Sequence, residues 1–258
     1  MGKQAKVVVI TGATYGIGES IADKLAVSKT KTLNQCNFKV YNLDIVLPPS
    51  DSLPTDVKTI KCDIRDRLDI LSACDYIIKD GNDKVDILIN NAGHNYLNWF
   101  EKITEDNYIN TMDTNVKGTF FVTQRFLPLL KEAKGTVLNI ISNAAHKPMT
   151  CSSIYNASKG ALEILTRQLA RELTPKYGIT VFGVSPNKIP QTKMSDYVDW
   201  IVPQLREWTL KYADQYEKKN IPCGSNTSKD IFTDFIVYLL MNKDRNKYLS
   251  GNILEYGV

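Results

Sequence analysis

The sequence predicts an α/β protein, a doubly wound parallel sheet of about seven strands with helices on both faces. Three observations predict it. Short β-branched runs alternate with longer segments of helical periodicity from end to end. The first run passes through a glycine-rich turn directly into a helical segment. The chain has 258 residues, 43% of them hydrophobic, enough for one sizeable core, and no repeat or low-complexity tract marks a second domain. Residues 1–258 therefore read as one domain.

Val7–Thr11 is the first β-branched run, and Ile17–Val27 after it carries apolar residues at intervals of three and four, the mark of a helix with one buried face. Lys39–Leu43 and Thr59–Cys62 are the next strands. The link between them, residues 45–56, holds Pro48, Pro49 and Pro54, which excludes a full crossover helix. Leu68–Lys79 returns to helical spacing, Ile87–Asn90 is a short strand, and Glu105–Glu132 reads as one long helix. Thr136–Ser142, Thr180–Ser185 and Ile253–Tyr256 complete the strands, with helices Tyr155–Tyr177 and Lys229–Met241 between them. Residues 187–228 form the one long irregular stretch, and loops of that length are commonly lids, so a substrate-binding lid is expected there. Its Tyr197, Trp200, Trp208, Tyr212 and Tyr216 read first as packing residues, and second as groups that close over a substrate.

Composition excludes several classes. The net charge of +4 comes from 32 basic and 28 acidic residues scattered without a basic block, so nucleic acid gains no support as a partner. The longest apolar run near the C-terminus, Phe235 to Met241, has seven residues against the roughly 20 that span a bilayer, so no membrane role is expected. Residues 1–10 lack the apolar core of a secretory signal, and Lys6 stands where a myristoylation site wants Ser or Thr. A cytoplasmic protein is the expectation. The five cysteines, Cys36, Cys62, Cys74, Cys151 and Cys223, form no Cys-x-x-Cys pair, and with two histidines a catalytic metal is not expected.

The glycine-rich turn is Thr11-Gly12-Ala13-Thr14-Tyr15-Gly16-Ile17-Gly18. Gly12 suits a tight turn, Gly16 lets backbone approach a pyrophosphate, and Gly18 lets helix pack closely on strand, while the helix N-terminus offers unpaired N–H groups to an anion. Asp44 ends the second strand, where an acid hydrogen-bonds the adenosine ribose and repels a 2′-phosphate, so NAD(H) is favoured over NADP(H). Further along, Tyr155 and Lys159 lie one helical turn apart, and Ser142 lies thirteen residues before Tyr155. A phenol with a pKa of roughly 10 is a poor base near neutrality unless a cation stabilises the phenolate, which Lys159 on the same helical face can do. Ser142 can hydrogen-bond the reacting oxygen. With 13 tyrosines, one Tyr-x-x-x-Lys is expected by chance, so the pair takes its weight from its company.

Together these motifs resemble the compact, Rossmann-type form of the short-chain dehydrogenase/reductase family, over essentially the whole chain. TGATYGIG stands at 11–18, Asp63-Ile64 matches the family's adenine-pocket pair, and Asn90-Asn91-Ala92-Gly93 its strand-four motif. Asn115, Ser142, Tyr155 and Lys159 match its active-site residues in order and spacing. The resemblance implies that Tyr155 is the general acid/base, that Lys159 lowers its pKa and holds the nicotinamide ribose, that Ser142 orients the substrate oxygen, and that Asn115 anchors a proton-relay water in a distorted helix. It implies cofactor contacts from Gly12, Thr14, Tyr15, Gly16, Ile17, Gly18, Asp44, Asp63, Ile64, Asn91, Ala92 and Gly93, and at the nicotinamide end from Pro186, Ile189 and Thr192. His94 and His146 fall where family members contact substrate or nicotinamide, though a structural role is the first reading of each.

Three departures from the family pattern stand out. Pro186-Asn187 replaces Pro-Gly, with asparagine expected to tolerate a left-handed turn; Thr192 comes one residue late, Gln191 filling its place; and the helix at 45–56 is missing. The expected activity is NAD(H)-dependent interconversion of a secondary alcohol and a ketone, with a small-molecule substrate and a homodimeric or homotetrameric assembly through the helices at 105–132 and 155–177. The rival is a catalytically silent dinucleotide-binding sensor or scaffold.

Overall fold

A computed structural model describes residues 5–27, 37–48, 57–219, 221–241 and 246–257. Seven strands form one sheet: β1 (Lys6–Thr11), β2 (Phe38–Asp44), β3 (Val57–Lys61), β4 (Ile87–Asn90), β5 (Thr136–Ile140), β6 (Thr180–Pro186) and β7 (Ile253–Tyr256). Their order is β3-β2-β1-β4-β5-β6-β7, and all pairs are parallel. The first half of the chain builds outward from β1 to β3, and the second half restarts beside β1 at β4. That reversal opens a crevice at the carboxyl ends of β1 and β4, where open sheets of this kind bind ligands.

Strand side chains alternate between two cores. Val8 and Ile10 join Ile21 and Leu25 of α1 (Gly16–Val27) and Phe232 and Ile236 of α8 (Lys229–Met241). Val7 and Val9 join Ile70 and Ile77 of α2 (Arg67–Lys79), Phe126 and Leu130 of α4 (Thr119–Ala133), and Leu173 of α5 (Ser153–Tyr177). Every residue of β4, β5 and β6 is buried, as expected of central strands covered on both faces.

Two expectations need correction. The segment 105–132 is not one regular helix. It divides into α3 (Glu105–Met112), a π-helical turn at Asp113–Gly118, and α4. Asn115 lies in that turn, fully buried, and its amide bonds outward to other elements, a cause of local widening that periodicity cannot register. The stretch 187–228 is not irregular either, for it holds α6 (Lys193–Arg206) and α7 (Leu210–Lys219). Thr192 and Ser195 form a capping box that starts α6. Trp208, Tyr212 and Tyr216 recur at helical spacing and pack on one another, with ring centroids 5.0 Å and 4.8 Å from Trp208. At 45–48 no helix forms, and the rest of the expected gap, residues 49–56, lies outside the described residues, as does Cys36.

Candidate active site

A cleft of about 1000 Å³ runs along the carboxyl edge of the sheet. Gly12, Tyr15, Gly16, Ile17, Asp44, Asp63, Ile64, Asn91, Ala92, Gly93, His94, Ser142, Tyr155, Lys159, Pro186, Ile189 and Thr192 all line it. Thr14, Gly18 and Asn115 stand behind the lining, and His146 points elsewhere, its ring between Glu163 at 3.3 Å and Glu255 at 3.4 Å.

The turn between β1 and α1 is fixed by contact. Gly12 has φ of 67° and touches Ala92 so closely that a Cβ would lie 2.8 Å from its Cα. A Cβ on Gly18 would meet the Gly12 carbonyl oxygen at 2.4 Å and the Asn91 amide at 2.5 Å. Asn91 Nδ2 donates to the carbonyls of Thr11 (3.0 Å) and Gly12 (2.7 Å), so β4 holds the loop from beneath. From the other side Asn42 Oδ1 accepts from the Ala13 amide at 2.8 Å and Asp44 Oδ2 from the Thr14 amide at 2.9 Å. Asn42 was missed in the sequence, where an amide two residues before Asp44 in the same strand was the available signal; in the fold it is fully buried.

Fit to a dinucleotide can be tested on this geometry. Asp44 uses one lone pair of each oxygen, on the Thr14 and Val46 amides, which leaves each oxygen able to accept a ribose hydroxyl. The amino end of α1 presents the positive end of a helix to the cleft. Arg65, also missed, grips Asp63 through Nη2 at 2.6 Å and donates to Asn110 at 2.7 Å; its guanidinium holds the Asp63 carboxyl below its ordinary range. These donors, acceptors and left-handed glycines fit the adenosine and phosphate portions of such a cofactor.

At the other end of the cleft the four candidate catalytic residues converge. Asn115 Nδ2 donates to the His94 carbonyl (2.9 Å) and to Ser158 Oγ (2.8 Å), while its Oδ1 accepts from the His94 amide (2.7 Å), so the π-helical turn is fastened to both β4's exit and α5. Lys159 is buried and donates to the Ile140 carbonyl at 3.0 Å; its ammonium sits 5.8 Å from the Tyr155 ring centre. Burial lowers Lys159 to about 8. Burial raises Tyr155 above its ordinary value, against a weaker opposite pull from Ser142. Burial thus dominates both groups, and it favours the neutral phenol of Tyr155. Ser142 Oγ accepts from the Ala144 amide at 3.2 Å, which fixes the hydroxyl at the end of β5.

The segment after β6 differs from expectation. Asn187 is not left-handed; the left-handed residue is Gln191, at φ of 61°. The Thr192 hydroxyl is engaged as the α6 cap, accepting from Ser195 at 3.0 Å and donating to Ile189 at 3.2 Å. Lys188 reaches across both helices that follow, 2.6 Å from Asp199 of α6 and 2.5 Å from Glu217 of α7. His94 is kept below its usual imidazole range by burial, then by Arg65, and its Nδ1 meets Thr111 Oγ1 at 3.1 Å.

Comparison with known proteins agrees with this architecture. A family model described as short chain dehydrogenase matches residues 6–200. An uncharacterized oxidoreductase of Staphylococcus epidermidis is 30% identical over 195 residues, 74% of this chain and 82% of that protein. A variant of actinorhodin polyketide ketoreductase with NADPH superposes at a TM-score of 0.84 with 23% identity, over 98% of this chain and 96% of the other. The 3-ketoacyl-(acyl-carrier-protein) reductase from Brucella melitensis complexed with NADH gives a TM-score of 0.78 with 25% identity over 98% of each chain. The glycine turn, the seven-stranded parallel sheet and the match over three-quarters of the sequence lead to one conclusion: the chain belongs to the short-chain dehydrogenase family of oxidoreductases.

Proposed function

We propose that the protein is an NAD(H)-dependent oxidoreductase that interconverts a secondary alcohol and a ketone, with Tyr155 as general acid and base. The observation that carries the reading is the convergence of Ser142, Tyr155 and Lys159 in the same cleft as the glycine turn and Asp44, with Asn115 fastened behind them. NAD(H), when bound, supplies or accepts the hydride. The chain's own residues handle the proton. Tyr155 donates its phenolic proton to a carbonyl oxygen, or takes one from a hydroxyl; Ser142 hydrogen-bonds the same oxygen; Lys159 stabilises the phenolate that remains. Asn115 anchors the relay that restores the proton. The aromatic wall of α6 and α7 serves as the substrate lid, and Asp63, Ile64, Asn91, Ala92 and Gly93 surround the adenosine portion.

Tryptophan fluorescence titrated with NADH and NADPH in parallel tests the cofactor assignment. NADH should bind at least tenfold more tightly, on the order of 1.4 kcal/mol, because Asp44 accepts from a ribose hydroxyl and repels a phosphate. Preference for NADPH would overturn the role of Asp44, and binding without turnover would point to a nucleotide sensor.

The proposal extends to assembly and location. Exposed Phe120, Ile109 and Ile164 on the outer faces of α3, α4 and α5 favour a homodimer or homotetramer. Light scattering should give a mass at least twice the monomer's, and a monomer at micromolar concentration would refute the assembly. The described cysteines are unpaired, which favours the reducing cytoplasm.

A further inference from the structure

Some charged groups along the cleft are neutralised in place. Arg65 holds Asp63, and Lys188 holds Asp199 and Glu217. Lys147, Lys159, Lys193 and Arg206 also line the cleft without an ion pair among the described residues, and of these Arg206, the last residue of α6, carries the planar guanidinium. Its guanidinium carries five donors. Nη2 donates to the Thr150 carbonyl at 2.8 Å, the group leans on the Cys151 thiol, and Cζ lies 4.8 Å from the centre of the Trp208 ring. Nε is buried without any partner.

Thr150 belongs to the segment that leads from Ser142 to α5, which carries Tyr155, so Arg206 stands on the substrate side of the cleft rather than at the glycine turn. Met149, Val198 and Val202 give the wall beside it an apolar surface. A half-buried guanidinium beside an aromatic ring, whose Nη groups keep donors beyond the one that Thr150 takes, is suited to the planar, two-point grip of a carboxylate. An apolar wall beside it suits a hydrocarbon chain.

We propose that Arg206 anchors a carboxylate on the substrate, which makes the substrate class hydroxy acids and oxo acids with an apolar chain between the reacting carbon and the acid. The proposal rests on the oxidoreductase reading and narrows it. The anchor fixes the far end of the substrate while Ser142 and Tyr155 meet the near end, so chain length sets which carbon is reduced.

The test is a calorimetric titration of the NADH-loaded protein, and of the protein alone, with straight-chain oxo acids of increasing length and with their methyl esters. The acids should bind at least about tenfold more tightly than their esters, the loss of one charge-assisted contact. Arg206→Met should remove that preference and leave ester binding and NADH binding unchanged. Arg206→Lys, which keeps the charge without the planar fork, should retain part of it. Equal affinity for acid and ester, absence of acid binding, or a preference that survives Arg206→Met overturns the assignment. Turnover of the same compounds, compared with Tyr155→Phe, addresses the oxidoreductase reading separately: esters turned over without acid preference sink only the role of Arg206, whereas turnover that survives Tyr155→Phe sinks the mechanism.

Discussion

Replacing Tyr155 by phenylalanine should lower kcat by roughly 10²–10⁴-fold, the usual contribution of a positioned acid or base, while NADH binding stays near the wild-type level. The ring is buried and its removal of one oxygen leaves packing intact. Among the described residues Tyr155 Oη has a 3.9 Å contact with Met194 Sδ and the polar contact with Ser142, so the substitution orphans no strong hydrogen bond there. Single-turnover kinetics with NADH preloaded read the chemical step directly. A Tyr155→Phe variant with near-normal turnover would assign the proton to another group.

Lys159→Met should abolish most turnover and, unusually, raise the stability of the ligand-free protein at pH 7. In the folded chain burial lowers Lys159 from 10.5 to about 8, so the unfolded chain binds more protons between those values. The buried cation therefore costs stability in full below about pH 8, and the cost fades as pH rises from about 8 towards 10.5. At ~1.4 kcal/mol per pH unit the fall corresponds to roughly 3 kcal/mol, against about 1 kcal/mol for the hydrogen bond to the Ile140 carbonyl that methionine cannot make. A net gain on the order of 1–2 kcal/mol is expected at pH 7, shrinking at pH 10. Urea unfolding at both pH values measures it, and a variant less stable than wild type at pH 7 would show that the ammonium is compensated in the ligand-free fold. On the proposed mechanism ketone reduction should decline as pH climbs past about 8 and Lys159 loses its proton in the free enzyme.

The sheet was legible because parallel strands buried on both faces write continuous apolar runs, and β1, β4 and β5 are such runs. The motif residues were legible because their spacing within the glycine turn and along α5 is short-range. What escaped depends on partners distant in sequence. Asn115 was legible through the family resemblance, but the long-range bonds that fasten its amide to His94 and Ser158 were not. Arg65, Lys188 and Arg206 are ordinary surface cations in one dimension, and only the fold shows that two of them meet carboxylates and the third does not. The helices at 193–206 and 210–219 are amphipathic, but Pro203 inside α6 and the largely polar composition of α7 masked them as helices in the sequence. His146 lies close to Ser142 in sequence, yet its side chain turns to Glu163 and Glu255 outside the cleft.

Asp44 carries a second consequence for how the chain can evolve. Its carboxylate does not only face the cleft; it also holds the Thr14 and Val46 amides, while Asn42 two residues earlier holds Ala13. On the proposed reading, coenzyme choice and loop architecture share this one side chain. A lineage that exchanged Asp44 for a small or basic residue to admit a phosphorylated ribose would release two backbone amides at the same stroke. The path to a different coenzyme therefore passes through a weakened turn unless a second substitution first takes over those amides, and drift at this position is constrained by folding as much as by selectivity.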